Sequence, residues 1–299
     1  MTPIKTIAFV GLGNMGNPMA AQLAAAGFRL ALYDTRAEVV QAFVAAHGGR
    51  AAARAADAAR GADVAITMLP TDKIVREVVL GQGGLAEGLA PGAIIIDMST
   101  SDPRATVEIG AAVSARGIHY VDAPVMGGVV FAKDGSLDVM AGGADEDIAR
   151  CMPVFDAIGR QVFRCGALGA GHVLKALANY VNATALINFI EALAIGRKFG
   201  LDTKVMSDAM QQMCTGRQHP FEKKVIPQIL TRKFGTGMAL GLIAKDVSIA
   251  ANFGRSIGAM TPLADCVADI WGKAEAEVGA KVDQTEVARL WEQANGVTL

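Results

Sequence analysis

Short apolar runs alternate with helical periodicities through the first half of the chain. The runs Ile7–Val10, Leu30–Tyr33, Val64–Thr67, Ile94–Asp97, His119–Asp122, Leu137–Ala141 and Gln161–Cys165 have the length of strands. Several are apolar at successive positions, as strands buried on both faces of a parallel sheet are. Alanine-rich stretches such as Pro18–Ala26 and Ala37–Ala46 lie between the earlier ones. This β-α-β rhythm predicts an α/β Rossmann domain, doubly wound around a mostly parallel sheet.

The rhythm stops at Gly166, Gly169 and Gly171. A helical pattern from about His172 to Phe199 follows, roughly 40 Å long at 1.5 Å per residue. Further helices are predicted at Thr203–Met213, Pro220–Leu230, Ile243–Gly254, Leu263–Glu277 and Thr285–Gln293, and no strand. The boundary falls within 166–171, which gives a nucleotide-binding domain over 1–168 and an all-α domain over 169–299. No low-complexity linker separates them, so the long helix is expected to leave the sheet domain directly.

Of the 299 residues, 52% are hydrophobic and 19% charged, enough apolar material for two cores. The formal net charge of −1 leaves no basic field for a nucleic-acid backbone. Mean hydropathy is +0.34, which raises the question of a membrane. The most apolar stretch, Ala176–Ile190, contains three asparagines and falls short of the roughly 20 apolar residues of a spanning helix. No basic segment with a cleavage site precedes Thr6. Cys151, Cys165, Cys214 and Cys266 are scattered, without metal-ligand spacing. The expectation is a cytoplasmic protein with reduced thiols, no metal, no membrane and no nucleic-acid partner.

One motif points to chemistry through its setting, with a ligand-free glycine turn in the sheet as its alternative. Gly11-Leu12-Gly13-Asn14-Met15-Gly16 is a GxGxxG sequence between a buried strand and an alanine-rich helix. In that setting the first glycine permits a tight turn, the second admits a pyrophosphate, and the third lets helix and strand pack. The helix N-terminus then offers free N–H groups to the phosphates. Asp34 closes the second strand, eighteen residues past Gly16, where a carboxylate accepts from ribose hydroxyls and repels a 2′-phosphate. That favours NAD, although Arg36 offers a pair to a phosphate and keeps NADP open. A strand-end cap is the alternative for Asp34. Met68-Leu69-Pro70 and Asp97-Met98-Ser99-Thr100 each follow a strand and are candidates to line the cleft, with Thr100 towards the nicotinamide. Ser99-Thr100 serves equally as an N-cap before Pro103.

These residues, with Asp122-Ala123-Pro124-Val125-Met126-Gly127-Gly128, the segment Gly166–Asn179 and Lys245-Asp246, resemble the β-hydroxyacid dehydrogenase family, typified by 3-hydroxyisobutyrate dehydrogenase. The resemblance spans nearly the whole chain. It implies a Rossmann domain followed by a helical domain, an active site in the cleft between them, a homodimer or homotetramer, and a short β-hydroxy acid as substrate.

Gly166–Asn179 fits the family pattern GxxGxGxxxKxxxN. Lys175 and Asn179, four residues apart, share one helix face. The resemblance makes Lys175 the acid/base of hydride transfer and Asn179 its orienting or substrate-binding neighbour. An ammonium there protonates the developing alkoxide, and a free amine accepts the proton in the oxidation direction. The alternative is a lysine whose stem packs while its head reaches water. His172 is a rival acid/base, but the sequence reveals no nearby acid to orient its ring. His47, His119 and His219 are expected to be incidental. The resemblance also puts Lys245 near the nicotinamide and substrate with Asp246 as its partner, where composition alone would read an ordinary Lys-Asp pair opening an exposed helix, and it puts Gly127-Gly128 at the substrate.

The chain departs from the family at Met126, where the usual residue is a serine that helps hold the substrate carboxylate. Methionine donates nothing and adds apolar volume. A substrate with an apolar part follows, or an acid group held elsewhere, with Arg217 a candidate and a solvated arginine its alternative. Two rival functions stand beside dehydrogenation: a non-catalytic NAD-binding regulator, and an imine reductase on the same scaffold. The presence of Lys175 and Asn179 speaks against the first and of Lys175 against the second.

Overall fold

The structure, a computed structural model, describes residues 3–216, 219–235 and 237–299. It divides into two compact units, Met1–Tyr180 and Val181–Leu299. The division falls inside the helix Ala170–Phe199.

The first unit is built on a nine-stranded sheet. Its strands are β1 (Thr6–Val10), β2 (Arg29–Tyr33), β3 (Arg50–Ala51), β4 (Val64–Thr67), β5 (Ile94–Asp97), β6 (His119–Asp122), β7 (Val125–Met126), β8 (Leu137–Gly142) and β9 (Gly159–Gly166). The order is β3-β2-β1-β4-β5-β6-β8-β7, with β9 on β8. The first six run parallel. β8 runs antiparallel to β6 and β7 and parallel to β9. β6 and β7 are one line of chain interrupted at Pro124, which has no N–H to donate.

Alternate residues of the strands feed two separate cores. Ile7, Phe9, Leu32, Ile66, Ile96 and Val121 pack on one face. Ala8, Val10, Ala31, Ala65, Ile95 and Tyr120 pack on the other. Because both faces are covered by helices, neither phase of the alternation is polar, which explains the continuous apolar runs. All seven strands read from the sequence are present, with ends shifted by a few residues. β3 and β7 were not legible, being two residues each with no apolar run.

The first helix begins at Gly16, inside the GxGxxG motif, rather than at Pro18. The second unit is helical, with Thr203–Cys214, Leu240–Ser256, Pro262–Glu277 and Ala288–Asn295 as α-helices. Phe221–Ile229 is a wider helical turn than the α-helix expected, with the Leu230 N–H bonding Val225 O. Pro227 lies within it and cannot donate to an α-helical ladder. The expected helix Thr285–Gln293 is a tight 3-10 turn over Gln284–Val287 that passes into Ala288–Asn295. Leu240, Ala274 and Leu290 form this unit's buried core. Glu191 accepts the N–H groups of Leu263 and Ala264 at 3.0 and 2.7 Å, capping the helix Pro262–Glu277.

The long helix Ala170–Phe199 spans about 45 Å. By length and composition alone it is long and apolar enough to cross a membrane, a longer match than Ala176–Ile190 indicated. Its N-terminus is anchored by the buried carboxylate of Asp122 at the end of β6. Oδ1 accepts the Gly169 N–H and Oδ2 the His172 N–H, both at 2.7 Å. Space for the carboxylate comes from two glycines, since a Cβ on Gly142 or Gly171 would stand 2.5 or 2.8 Å from its oxygens. Burial pushes the Asp122 carboxyl above the usual range, and the N–H bond from Gly169 and the neighbouring His172 pull it back only in part.

Replacing Asp122 by alanine leaves two buried N–H groups without partners, at about 1–3 kcal/mol each. Urea unfolding is expected to show a loss of about 2–6 kcal/mol for Asp122→Ala; a change below about 0.5 kcal/mol would show that the cap is dispensable.

Candidate active site

The strand order reverses between β1 and β4, the switch point at which open α/β sheets bind ligands beyond their carboxyl ends. A cavity of about 500 Å³ opens there. Gly11, Gly13, Asn14, Met15 and Gly16 line one side, Asp34 and Arg36 another, and Met68, Leu69 and Pro70 a third. Three segments separate in sequence thus converge because β2, β1 and β4 are neighbours.

The glycines differ in what they permit. Gly11 has φ of +97°, and a Cβ on it would meet Met68 O at 2.3 Å. A Cβ on Gly16 would lie 1.8 Å from Gly11 O. Gly13 faces open space, with nothing within 4 Å of a Cβ, so a ligand can approach its backbone. Leu12 does not line the cavity; it is buried, and its N–H donates to Asp34 Oδ2 at 2.8 Å.

Asp34 Oδ1 accepts the Arg36 N–H at 2.9 Å and its Nε at 3.3 Å. Burial pushes this carboxyl up, but the bonds from Arg36 and Leu12 outweigh it, and the net shift is downward. Asp34 is therefore an anion at neutral pH. Each oxygen keeps lone pairs for ribose hydroxyls, and the Arg36 head is partly neutralised by the same carboxylate. The cavity, the open Gly13 backbone and this carboxylate fit a dinucleotide whose adenosine ribose carries free hydroxyls.

Ser99 and Thr100 do not cap the following helix. Asp102 does, accepting the Arg104 N–H at 2.8 Å. Ser99 is buried, and its Oγ accepts the Leu69 N–H at 2.9 Å, supporting the cleft loop from behind. Thr100 is exposed and is not among the residues lining the cavity.

Lys175 lies in the second turn of the long helix, largely buried. Its Nζ donates to Met126 Sδ at 3.5 Å, and among the described residues it forms no ion pair. Burial holds its pKa below the ordinary lysine value. The reading of a lysine that reaches fully into water therefore does not hold. Asn179 is exposed one turn further along. Met126 ends β7, and Gly127 and Gly128 follow with φ of +128° and +74°. The structure thus brings Lys175 against Met126 and the start of the Gly127-Gly128 turn. Lys245 is exposed on the helix Leu240–Ser256 of the second unit. The Asp246 side chain and Arg217 lie outside the described residues.

The ring of His172 corrects the sequence reading, which revealed no acid near it. Asp97 and Asp122 carboxylates each stand 3.8 Å from a ring nitrogen, brought there by the ends of β5 and β6. The side chain is wholly buried and reaches no solvent, so it is no acid/base for a substrate. His119 also has a partner, Asp147, at 2.9 Å. Asp97, expected with Met98, Ser99 and Thr100 to line the cleft, is not among the residues lining the cavity and instead ties the strand ends together. Its Oδ1 accepts the Thr67 hydroxyl at 2.9 Å and the Ser99 N–H at 3.0 Å, and its Oδ2 accepts the Ser101 hydroxyl at 3.0 Å. The one available signal of that role was an acid ending an otherwise apolar strand.

Comparison with known proteins agrees with this geometry. Residues 6–166 match the NAD-binding domain of 6-phosphogluconate dehydrogenase. Residues 169–291 match the NAD-binding domain of NADP-dependent 3-hydroxyisobutyrate dehydrogenase. The chain is 35% identical to the NAD-dependent L-serine dehydrogenase of Pseudomonas aeruginosa, over 98% of this chain and 100% of that protein. It is similar to the structure of a Mycobacterium tuberculosis 3-hydroxyisobutyrate dehydrogenase with L-serine, at 31% identity and a TM-score of 0.66, covering 96% of this chain and 99% of the other. An imine reductase from Myxococcus stipitatus in complex with NAD+ gives a TM-score of 0.84 at 17% identity, covering 97% and 100%, a likeness of fold alone.

The glycine geometry separates folding from binding. Gly13→Ala is expected to leave stability within about 0.5 kcal/mol of the parent and to weaken NAD binding at least tenfold by titration calorimetry. Gly16→Ala is expected to cost about 1–3 kcal/mol through overpacking against Gly11. Equal effects of the two changes on stability would contradict this division of roles.

Proposed function

The chain belongs to the β-hydroxyacid dehydrogenase family, and from that premise we propose that it oxidises a short β-hydroxy acid with NAD, using Lys175 as the acid/base. The observation that carries this reading is the buried Lys175 amine, held below its ordinary pKa and free of any ion pair among the described residues. Burying an amine costs free energy that a purely regulatory nucleotide binder has no reason to spend.

The glycine loop would hold the pyrophosphate and Asp34 the adenosine ribose, and bound NAD supplies the hydride acceptor. Lys175 Nζ, as the free amine, takes the substrate hydroxyl proton as the carbinol carbon is oxidised. In the reverse direction the ammonium returns that proton to the alkoxide oxygen. Asn179, one turn along the helix, would orient the lysine or bind the substrate. Gly127 and Gly128 offer backbone N–H groups to the substrate carboxylate. Met126 beside the amine supports a substrate with an apolar substituent next to the reacting carbon.

The assay follows absorbance at 340 nm with NAD and with NADP, using 3-hydroxyisobutyrate, L-serine and 2-(hydroxymethyl)glutarate. Lys175→Ala is expected to lower kcat by about 10²–10⁴ with NAD affinity within about threefold; full activity in this variant would refute the mechanism. A base must be unprotonated to act, so oxidation should speed up as pH rises through the Lys175 titration, below the ordinary lysine range. Carbonyl reduction should slow over the same limb.

Met126→Ser exchanges the thioether for a hydroxyl. It is expected to shift the kcat/KM ratio at least about tenfold from 3-hydroxyisobutyrate towards L-serine, since one apolar group in a pocket is worth about 10–200-fold. An unchanged ratio would remove Met126 from substrate selection.

A further inference from the structure

We propose that His172 is a positioning residue for Lys175, tying the helical turn that carries the lysine to the strand ends and, through Ser99, to the loop lining the nucleotide cleft. The inference rests on the reading of Lys175 as the acid/base. His172 stands one turn before Lys175, at a separation that puts both on neighbouring parts of one helix face. Its ring is wholly buried and bonded on both sides. Nε2 lies 3.1 Å from Ser99 O. A carbonyl only accepts, so Nε2 carries a proton and donates it. Nδ1 lies 2.7 Å from Thr106 Oγ1 on the helix Pro103–Ser114. The main-chain N–H of the same residue donates to Asp122 Oδ2 at 2.7 Å. Residue 172 is therefore held from three elements: the ends of β5 and β6, and the helix between them.

Ser99 extends the tie. Its carbonyl takes the imidazole proton and its hydroxyl oxygen takes the Leu69 N–H at 2.9 Å. Leu69 lines the nucleotide cavity with Met68 and Pro70. A direct path of hydrogen bonds and one helical turn thus connects the cleft loop to Lys175. Lys175 itself has only the soft contact to Met126 Sδ among the described residues, so its head has no strong bond to fix it. The turn beneath it does that work. Hydride transfer tolerates little misplacement, and a shift of about 1 Å costs about 10²-fold in rate.

The test compares His172→Ala with His172→Gln, whose side-chain amide can still donate to Ser99 O. Turnover by the Ala variant is expected to fall about 10²-fold, with the KM for the acid and the affinity for NAD within about threefold. The Gln variant is expected to recover to within about fivefold of the parent. A second readout needs no turnover: the pH dependence of Lys175 acetylation by acetic anhydride, followed by peptide mass spectrometry. In the Ala variant the profile should move up towards that of an ordinary lysine as the turn loosens and water enters, and it should return in the Gln variant. An unmoved profile in a folded Ala variant overturns the proposal, as does a fall in turnover that only tracks a fall in Tm. Where His172→Ala does not fold, Thr106→Val, which removes the Nδ1 partner at nearly constant shape, should move the profile in the same direction. No movement there overturns the proposal equally. If the parent oxidises none of the acids while the acetylation profile still responds to His172, the assigned function fails and the positioning role stands.

Discussion

The carboxylate of Asp122 is the interaction on which the arrangement of the first unit's site depends. It ends a buried strand, and its two oxygens take the N–H groups that open the long helix. An anion at a helix N-terminus meets both unpaired donors and the positive end of the helix dipole. The first turns of the helix, with His172 and Lys175, are referenced to the sheet through those bonds. The glycines around it are the steric condition for the contact: Gly142 and Gly171 lack the Cβ atoms that would displace the oxygens. The GxxGxG spacing before Lys175 is thus explained partly by how close a helix must come to a strand.

The same strand ends organise the nucleotide cleft. Reversal of strand order between β1 and β4 leaves a gap that no crossover helix fills, and the glycine loop, Asp34 and the loop after β4 close around it. Asp34 has two tasks there. It accepts the Leu12 N–H and so fixes the glycine loop, and it keeps negative charge where a ribose would lie. Arg36, bonded to that carboxylate, is less a free phosphate receptor than its position in the sequence indicated.

Beside this scaffold the lysine is lightly held. Its amine is desolvated, which lowers its pKa, and the thioether of Met126 is a weak acceptor that neither neutralises nor strongly orients it. Desolvation is what an acid/base working near neutral pH requires, because it brings the free amine within reach without a second charge nearby. The two carboxylates near His172 bond to backbone and hydroxyl groups beneath the helix turn and form no ion pair with the lysine.

Local chemistry made much of this legible in the chain itself. Apolar runs at strand length, GxGxxG at a strand–helix junction and an acid at the end of β2 are patterns that spacing alone reveals. They pointed to the fold class and the cofactor loop, whereas the candidate acid/base Lys175 came from the family resemblance carried by the GxxGxGxxxKxxxN segment. What the chain could not disclose were contacts between residues far apart in it. His172 meets carboxylates from positions 97 and 122, Leu69 meets Ser99, and Lys175 meets Met126. Two-residue strands such as β3 and β7 also left no periodicity to read. These features were decided by the tertiary structure, because sheet order and helix placement set which strand ends are neighbours, and hydrogen bonds form between neighbours in space whatever their separation along the chain.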